Sequence, residues 1–287
     1  MPVTVSDDLI RMALAEDATE RDLTAMATIA AGQQGVATIT AKADGVLSGI
    51  AQAERVFALL DEGIRRQWHR GDGDRVVAGD CIATLTGPLR SLLSGERTAL
   101  NFIQHLSGIA TATHAFVEAV AGTGCAVVDT RKTTPGLRNL EKQAVLHGGG
   151  LNHRLDLASG MLIKENHIAG AGSIAAAIAN CRALLEGDSE ARGVWIEVEC
   201  ETMAEVGEAV AAAPDIILLD NMTPQQTNAA RKLVPASIVL ESSGNITLGN
   251  VRDYAVTGVD RIAIGAITHS APSLDVSMRV DATRGDA

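Results

Sequence analysis

Between residues 125 and 264 the chain repeats one pattern, a short apolar run followed at once by polar or glycine-rich residues. The runs are 125–129 (CAVVD), 161–164 (MLIK), 194–200 (VWIEVEC), 216–220 (IILLD), 238–241 (IVLE) and 261–264 (RIAI), and 150–154 (GLNHR) supplies a candidate seventh. The last four recur about every 22 residues, a βα period, with helical patterns at 202–212, 224–233 and 247–257. Strands this apolar are covered on both faces, as in parallel sheets. Steady βα alternation gives a barrel or a doubly wound sheet. The residues that close the runs favour the barrel: Thr130-Arg131-Lys132, His153-Arg154, Lys164, Glu199, Asp220, Ser242-Ser243-Gly244-Asn245 and Gly265-Ala266. A barrel brings all its strand ends to one rim, whereas an open sheet concentrates them at a switch point.

The first of these strand ends carry an unusual charge. Asp129 to His167 holds Arg131, Lys132, Arg138, Lys142, Arg154 and Lys164 against four acidic residues, in a chain of net charge −11. Gathering cations into one segment of an acidic protein suits a small, highly negative ligand. Arg forks bind carboxylate or phosphate bidentately, and Lys acts as a point charge. Arg138 and Lys142 fall on a helical stretch, 136–147, and read equally well as a solvated basic face. Arg131, Lys132, Arg154 and Lys164 close strands and are the stronger candidates. Glu199 and Asp220 each close a strand with a carboxylate, which suits shared coordination of Mg²⁺ with substrate oxygens. Glu197 lies on the same strand face as Glu199, so it offers an alternative partner for Lys164. The glycine-rich ends ESSGNIT and IGAITHS suit an anion, the first because Ser243, Gly244 and Asn245 precede the predicted helix 247–257. His153 and His167 are placed to orient a carboxylate, with a structural role equally open for His167.

Composition removes other classes. The acidic balance, with only two Trp, one Tyr and three Phe, opposes nucleic-acid binding. No apolar run approaches the roughly 18 residues of a membrane span, and MPVTVSDDLIRMALAEDATE has no signal-peptide core. Four separated cysteines, Cys81, Cys125, Cys181 and Cys200, give neither a zinc nor a disulfide pattern. These features predict a reduced, soluble, cytoplasmic protein. GxSxG, HExxH and Walker-type signatures are absent.

The N-terminal part differs. Residues 5–31 predict a helix with Ser6 as N-cap, 51–63 a second helix, and 35–87 several short strands broken at Gly-Asp turns. The doubled Gly-Asp pattern is similar to lipoyl-carrier hairpins but lacks their lysine. The predicted architecture is an N-terminal α+β sandwich domain over 1–105, with 272–287 able to pack back on it, and a barrel domain over 106–271. The helix from about 91 to 121 runs across that boundary.

Together, ERTALNFIQHLSGIAT, DTRKTTPGLR, EKQAVLHGGG, NHRLDLASGMLIKENHI, LESSGNIT and GVDRIAIGAITHS resemble the quinolinate phosphoribosyltransferase family over about residues 5 to 280. The resemblance implies an open seven-stranded α/β barrel beside the N-terminal domain, in a homodimer or higher even oligomer. It implies transfer of phosphoribosyl from 5-phosphoribosyl 1-diphosphate to quinolinate with loss of CO2 and pyrophosphate, yielding nicotinate mononucleotide for NAD synthesis. It assigns Thr130, Arg131, Lys132, His153, Arg154 and Lys164 to quinolinate, with Arg97 reaching in from the neighbouring subunit. Glu199 and Asp220 would face the ribose and Mg²⁺, and Ser243, Gly244, Asn245, Ile264, Gly265 and Ala266 the 5-phosphate. Three positions depart from the family pattern: Gln143 for Tyr, Asp156 for Gly and Gly160 for an acid. Asp156 adds negative charge close to Arg154. The alternatives are a phosphoribosyltransferase for another pyridine carboxylate, such as nicotinate, and a non-catalytic anion-binding paralogue.

Overall fold

The computed structural model describes residues 7–188, 191 and 193–282, so Ser6 lies outside the described residues. The chain divides into two compact units. The first takes residues 1–114, 139–149 and 271–287, and the second 115–138 and 150–270. The first unit therefore also includes 139–149, an interval that the sequence reading gives to the barrel.

The first unit opens with α1 (Asp7–Glu16) and α2 (Leu23–Thr28), not with one continuous helix. Ala18 turns left-handed at φ 48°, and the Asp22 carboxylate caps α2 by accepting from the Ala25 N–H at 2.9 Å. Then follow β1 (Gln34–Ala41), β2 (Gly45–Val46), α3 (Ile50–Leu60), β3 (Arg65–Trp68), β4 (Arg75–Val76), β5 (Cys81–Pro88) and the long α4 (Leu89–Ala119). Along β1, Ala37, Ile39 and Ala41 are buried and alternate with partly exposed residues, the period of a one-sided strand. The last strand of the chain, β12 (Val276–Ala282), pairs antiparallel with β1, giving the sheet order β12-β1-β5-β3. Ile39, Phe57, Ile82, Leu85, Leu92 and Ile103 form the heart of this unit's core.

The second unit is built on β6 (Ala126–Val128), β7 (Met161–Ile163), β8 (Ile196–Cys200), β9 (Ile216–Asp220), β10 (Val239–Ser243) and β11 (Arg261–Ala263). These make one sheet of order β6-β11-β10-β9-β8-β7, every pairing parallel. Helices α6 (Glu165–Ala171), α7 (Ile174–Gly187), α8 (Met203–Ala212), α9 (Pro224–Leu233), α10 (Val251–Ala255) and α11 (Ala266–His269) alternate with them. Thr202 and Thr223 start α8 and α9 with capping boxes.

Two expectations need correction. The seventh strand at 150–154 shrinks to a single parallel bridge between Leu151 and Val128. The next backbone donors turn to side chains: His153 N–H to Asp129 Oδ1 at 2.8 Å and Arg154 N–H to His153 Nδ1 at 2.8 Å. With those donors taken, the ladder cannot continue. The predicted helix 247–257 is only Val251–Ala255. Ahead of it, Asn250 Oδ1 accepts the Thr247 N–H at 2.7 Å and the Thr247 carbonyl accepts the Val251 N–H at 2.9 Å.

α5 (Arg138–His147) is not a solvated basic face either. Lys142 is buried, while Arg138 donates to Thr133 Oγ1 at 3.0 Å and to the Leu155 carbonyl.

Charge penetrates the interior of the parallel sheet. Glu197 on β8 and Glu241 on β10 are fully buried and share Arg261 of β11, which sits 3.6 Å from Glu197 and hydrogen-bonds Glu241. Burial pushes both carboxyls up, Glu197 to about 7 against the pull of Arg261, and Glu241 to about 8 with help from the Glu197 charge. A glutamate in the unfolded chain ionises near 4.5, so folding takes up a proton in the window between. That contribution to stability falls as pH rises from about 5 to about 8. Glu241→Gln removes the Glu241 share of this linkage. The Tm of the variant minus that of the wild type, read by scanning calorimetry, should climb across the window, and a flat difference would contradict it.

Candidate active site

The C-terminal ends of these strands surround a cavity of about 320 Å³, within the size range of small-ligand sites. Thr130, Arg131 and Lys132 follow β6, His153 and Arg154 follow the Leu151 bridge, and Lys164 follows β7. Glu199, Asp220 and Ser243 lie at the ends of β8, β9 and β10. Leu162, Leu218 and Ala263 supply apolar wall between them. Strand ends predicted from the sequence thus converge within one unit.

Of the four cations only Lys164 has a described ion pair. Arg131 Nε is buried without a hydrogen-bond partner, a donor that an anion would satisfy. Arg154 donates to the Gly160 carbonyl at 2.9 Å. Burial, then the nearby Arg131 charge, pull Arg154 below the usual guanidinium range, with Glu197 opposing. Lys132 keeps its ammonium exposed, and its stem passes Gly265, where a Cβ would come 3.1 Å from Lys132 Cδ. The Lys132 carbonyl accepts from Thr268 Oγ1 at 2.7 Å. Lys164 pairs with Glu199, not with Glu197. Glu197 is deeper, 2.9 Å from His153 Nε2. The Lys164 N–H donates to His167 Nδ1 at 3.0 Å, which makes His167 a cap at the start of α6.

On the opposite side, Asp220 accepts from the Asn221 amide at 2.7 Å. Asn221 is left-handed at φ 55°, its N–H donates to the Ser243 carbonyl at 2.9 Å, and its Oδ1 accepts from Asn245 Nδ2 at 2.9 Å. Gly244 passes over it at φ 92°, where a Cβ would lie 2.3 Å from Asn221 Oδ1, so no other residue fits there. This lattice, rather than a helix N-terminus, shapes the 243–245 turn. The cavity takes in Ser243, while Gly244, Asn245, Ile264, Gly265 and Ala266 follow directly on the strands that line it. Arg97 is exposed on α4, in the first unit.

The sequence reading missed Asn221, Glu241, Arg261 and Trp195. A polar residue just past an apolar run was the available signal for Asn221. An acid and an arginine inside strands β10 and β11 were the signals for the buried pair. The three departures also have structural settings. The Asp156 carboxylate accepts from the N–H groups of Ala158 and Ser159 at 3.0 and 2.9 Å and caps its own turn. The Ser159 hydroxyl first, and then those two backbone bonds, hold it below the usual carboxylate range. At Gly160 a Cβ would stand 2.5 Å from the Trp195 ring. Gln143 lies in the first unit, 3.2 Å from His147 Nε2.

Residues 22–107 match the N-terminal domain of quinolinate phosphoribosyl transferase, and 109–279 match its C-terminal domain. The chain is 46% identical over 265 residues to a probable nicotinate-nucleotide pyrophosphorylase [carboxylating] of Bacillus subtilis, covering 92% of this chain and 90% of that protein. It is 41% identical over 279 residues to the nicotinate-nucleotide pyrophosphorylase [carboxylating] of Mycobacterium leprae, covering 94% and 95%. The crystal structure of NadC from Streptococcus pyogenes superposes with a TM-score of 0.91 at 42% identity, over 97% of each chain. With two domain matches spanning most of its length, the chain belongs to the quinolinate phosphoribosyltransferase family.

Proposed function

We propose that the chain transfers phosphoribosyl from 5-phosphoribosyl 1-diphosphate to quinolinate and decarboxylates the product to nicotinate mononucleotide, a step of NAD biosynthesis. The observation that carries this is the cluster of Arg131, Lys132, Arg154 and Lys164 in one cavity, with the buried Arg131 Nε unsatisfied. A single carboxylate would need fewer cations, and a pyridine dicarboxylate uses them all. The relatives named for the same activity support the reading.

Arg131, Arg154, Lys132 and Lys164 bind the two carboxylates and orient the ring so that its nitrogen faces the ribose C1. Ser243 to Asn245 and Ile264 to Ala266 hold the 5-phosphate through backbone N–H groups. Glu199 and Asp220 face the ribose, where they stabilise positive charge developing at C1 as pyrophosphate leaves. They are hard oxygen donors at neighbouring strand ends, the ligand type Mg²⁺ prefers, and they would share the ion with the diphosphate. When bound, Mg²⁺ neutralises charge on the leaving pyrophosphate. Once the nitrogen is bonded to C1 it is cationic; when the 2-carboxylate departs as CO2 the electron pair of the broken bond stays on C2, stabilised by the adjacent positive nitrogen, and C2 then takes a proton from water. The protein supplies positioning and holds the remaining carboxylate meanwhile.

We also read the enzyme as a homodimer or higher even oligomer, with Arg97 of one subunit completing the site of the other, working in the cytoplasm. Among the described residues no single helix is long and apolar enough to cross a membrane.

Release of CO2 from carboxyl-labelled quinolinate, dependent on 5-phosphoribosyl 1-diphosphate and Mg²⁺, tests the assignment, and turnover of nicotinate in place of quinolinate would sink it. Arg131→Ala and Lys164→Ala each remove a charged hydrogen bond worth about 1.5–3 kcal/mol, so the KM for quinolinate should rise roughly tenfold to hundredfold. Gly244→Ala should raise the KM for the diphosphate and leave that for quinolinate nearly unchanged. An effect confined to quinolinate would move the phosphate site elsewhere. Mixing Arg97→Ala with Arg131→Ala, assayed at quinolinate low enough that either variant alone turns over little, should restore roughly a quarter of wild-type activity, because half the dimers are hybrids with one intact site. No recovery would place Arg97 outside a shared site.

A further inference from the structure

His153 belongs to the cavity wall, yet only 7% of its side chain is exposed and each ring nitrogen already faces a protein group. Nδ1 accepts the Arg154 backbone N–H at 2.8 Å. A backbone amide always carries its hydrogen, so the Nδ1 that accepts from it carries none. The ring hydrogen therefore sits on Nε2, which lies 2.9 Å from Glu197 Oε2 and 3.7 Å from Glu241 Oε1.

This tautomer also bears on a metal. Ligand atoms of His153, Glu197 and Glu241 lie within 4.8 Å of one another. A hydrogen-bearing Nε2 cannot ligate, and a metal-bound histidine donates rather than accepts through its other nitrogen. Arg261 already supplies the cation between the two acids.

The surroundings fix the ring further. Asp129 Oδ1 accepts the His153 backbone N–H at 2.8 Å. The Trp195 ring meets His153 edge to face, with centroids 5.2 Å apart and planes at 88°. The same indole fills the space where a Cβ on Gly160 would stand, and the Gly160 carbonyl anchors the Arg154 guanidinium at 2.9 Å. Arg154 is thus held at its backbone by His153 and at its head by Gly160, and Trp195 packs against both holders.

We propose that His153 is a positioning residue and not a carboxylate ligand: accepting through Nδ1, it fixes the backbone of Arg154 so that the guanidinium anchored on Gly160 meets quinolinate. This differs from the role that the family resemblance implies for His153. It rests on the cavity being the quinolinate site, which wild-type turnover of quinolinate tests separately.

The two ring nitrogens can be replaced one at a time. Asn places a carboxamide oxygen where Nδ1 stands, whereas Gln reaches the position of Nε2. His153→Ala should raise the KM for quinolinate about tenfold or more and change kcat less, as loss of an aimed charged contact requires. His153→Asn should recover most of that loss and His153→Gln should not. The reverse ranking, or equal recovery by both, would overturn the proposal.

If both variants fold poorly, the wild type gives the answer by ¹⁵N NMR of histidine-labelled enzyme. The His153 signals are identified by their absence from the Asn variant, or otherwise by residue-selective broadening from a spin label at an exposed position. The expected result is the Nε2–H tautomer, unchanged at saturating quinolinate. A ring that carries hydrogen on both nitrogens in the complex, or on Nδ1 alone, would show that it binds substrate directly.

Discussion

One guanidinium, Arg261, half-buried beside Glu197 and Glu241, governs how the catalytic end of the sheet is arranged. It ties β8, β10 and β11 together across the apolar β9. Such a largely buried ion group is weak evidence of stability, because desolvating the charges offsets their attraction. Its value here is geometric. Glu197 meets His153, His153 sets the backbone of Arg154, and Arg154 forms one wall of the cation cluster. The Trp195 face also lies 5.9 Å from the Arg261 guanidinium, so the indole packs on the ion and the imidazole together.

The charges are also layered. Glu197 and Glu241 are fully buried, and Glu199 and Asp220 line the cavity together with the cations Arg131, Lys132 and Arg154. Only Lys164 has a direct acidic partner among these four cations in the hydrogen bonds and ion pairs described, and that partner, Glu199, is itself proposed to face the other substrate. The nearby acids keep the cluster from expelling its own charges, while the buried Arg131 Nε and the mutual repulsion of Arg131 and Arg154 remain for a ligand to relieve. A pocket so arranged offers a dianion its contacts in advance, the preorganisation that a reaction run by positioning and electrostatics requires.

Much of this was legible in the sequence because strand period and strand ending are local properties. IILLD gave β9 to the residue, and polar groups closing all but the last run line the cavity. Local patterns could not name partners across strands. Alternation put Glu197 and Glu199 on one face, but the parallel register decided that Lys164 reaches Glu199 while Glu197 lies below with His153. The seventh strand failed because the Asp129 and His153 side chains captured backbone donors that a ladder would have used, and propensity does not register that competition.

The departures from the family pattern illustrate the same point. Asp156 seemed placed to compete for Arg154, but two backbone N–H groups and the Ser159 hydroxyl hold its carboxylate within its own turn. That turn leads into Gly160, whose missing side chain is a consequence of Trp195 rather than a loss of function. An acid at 160 could not coexist with the indole, since even a Cβ would overlap it. With the indole present, residue 160 contributes its carbonyl instead of a carboxylate, and Arg154 still finds an acceptor at 2.9 Å. The pair Gly160 and Trp195 thus acts as one unit, and replacing either alone would disturb the aim of Arg154 before it disturbed the fold.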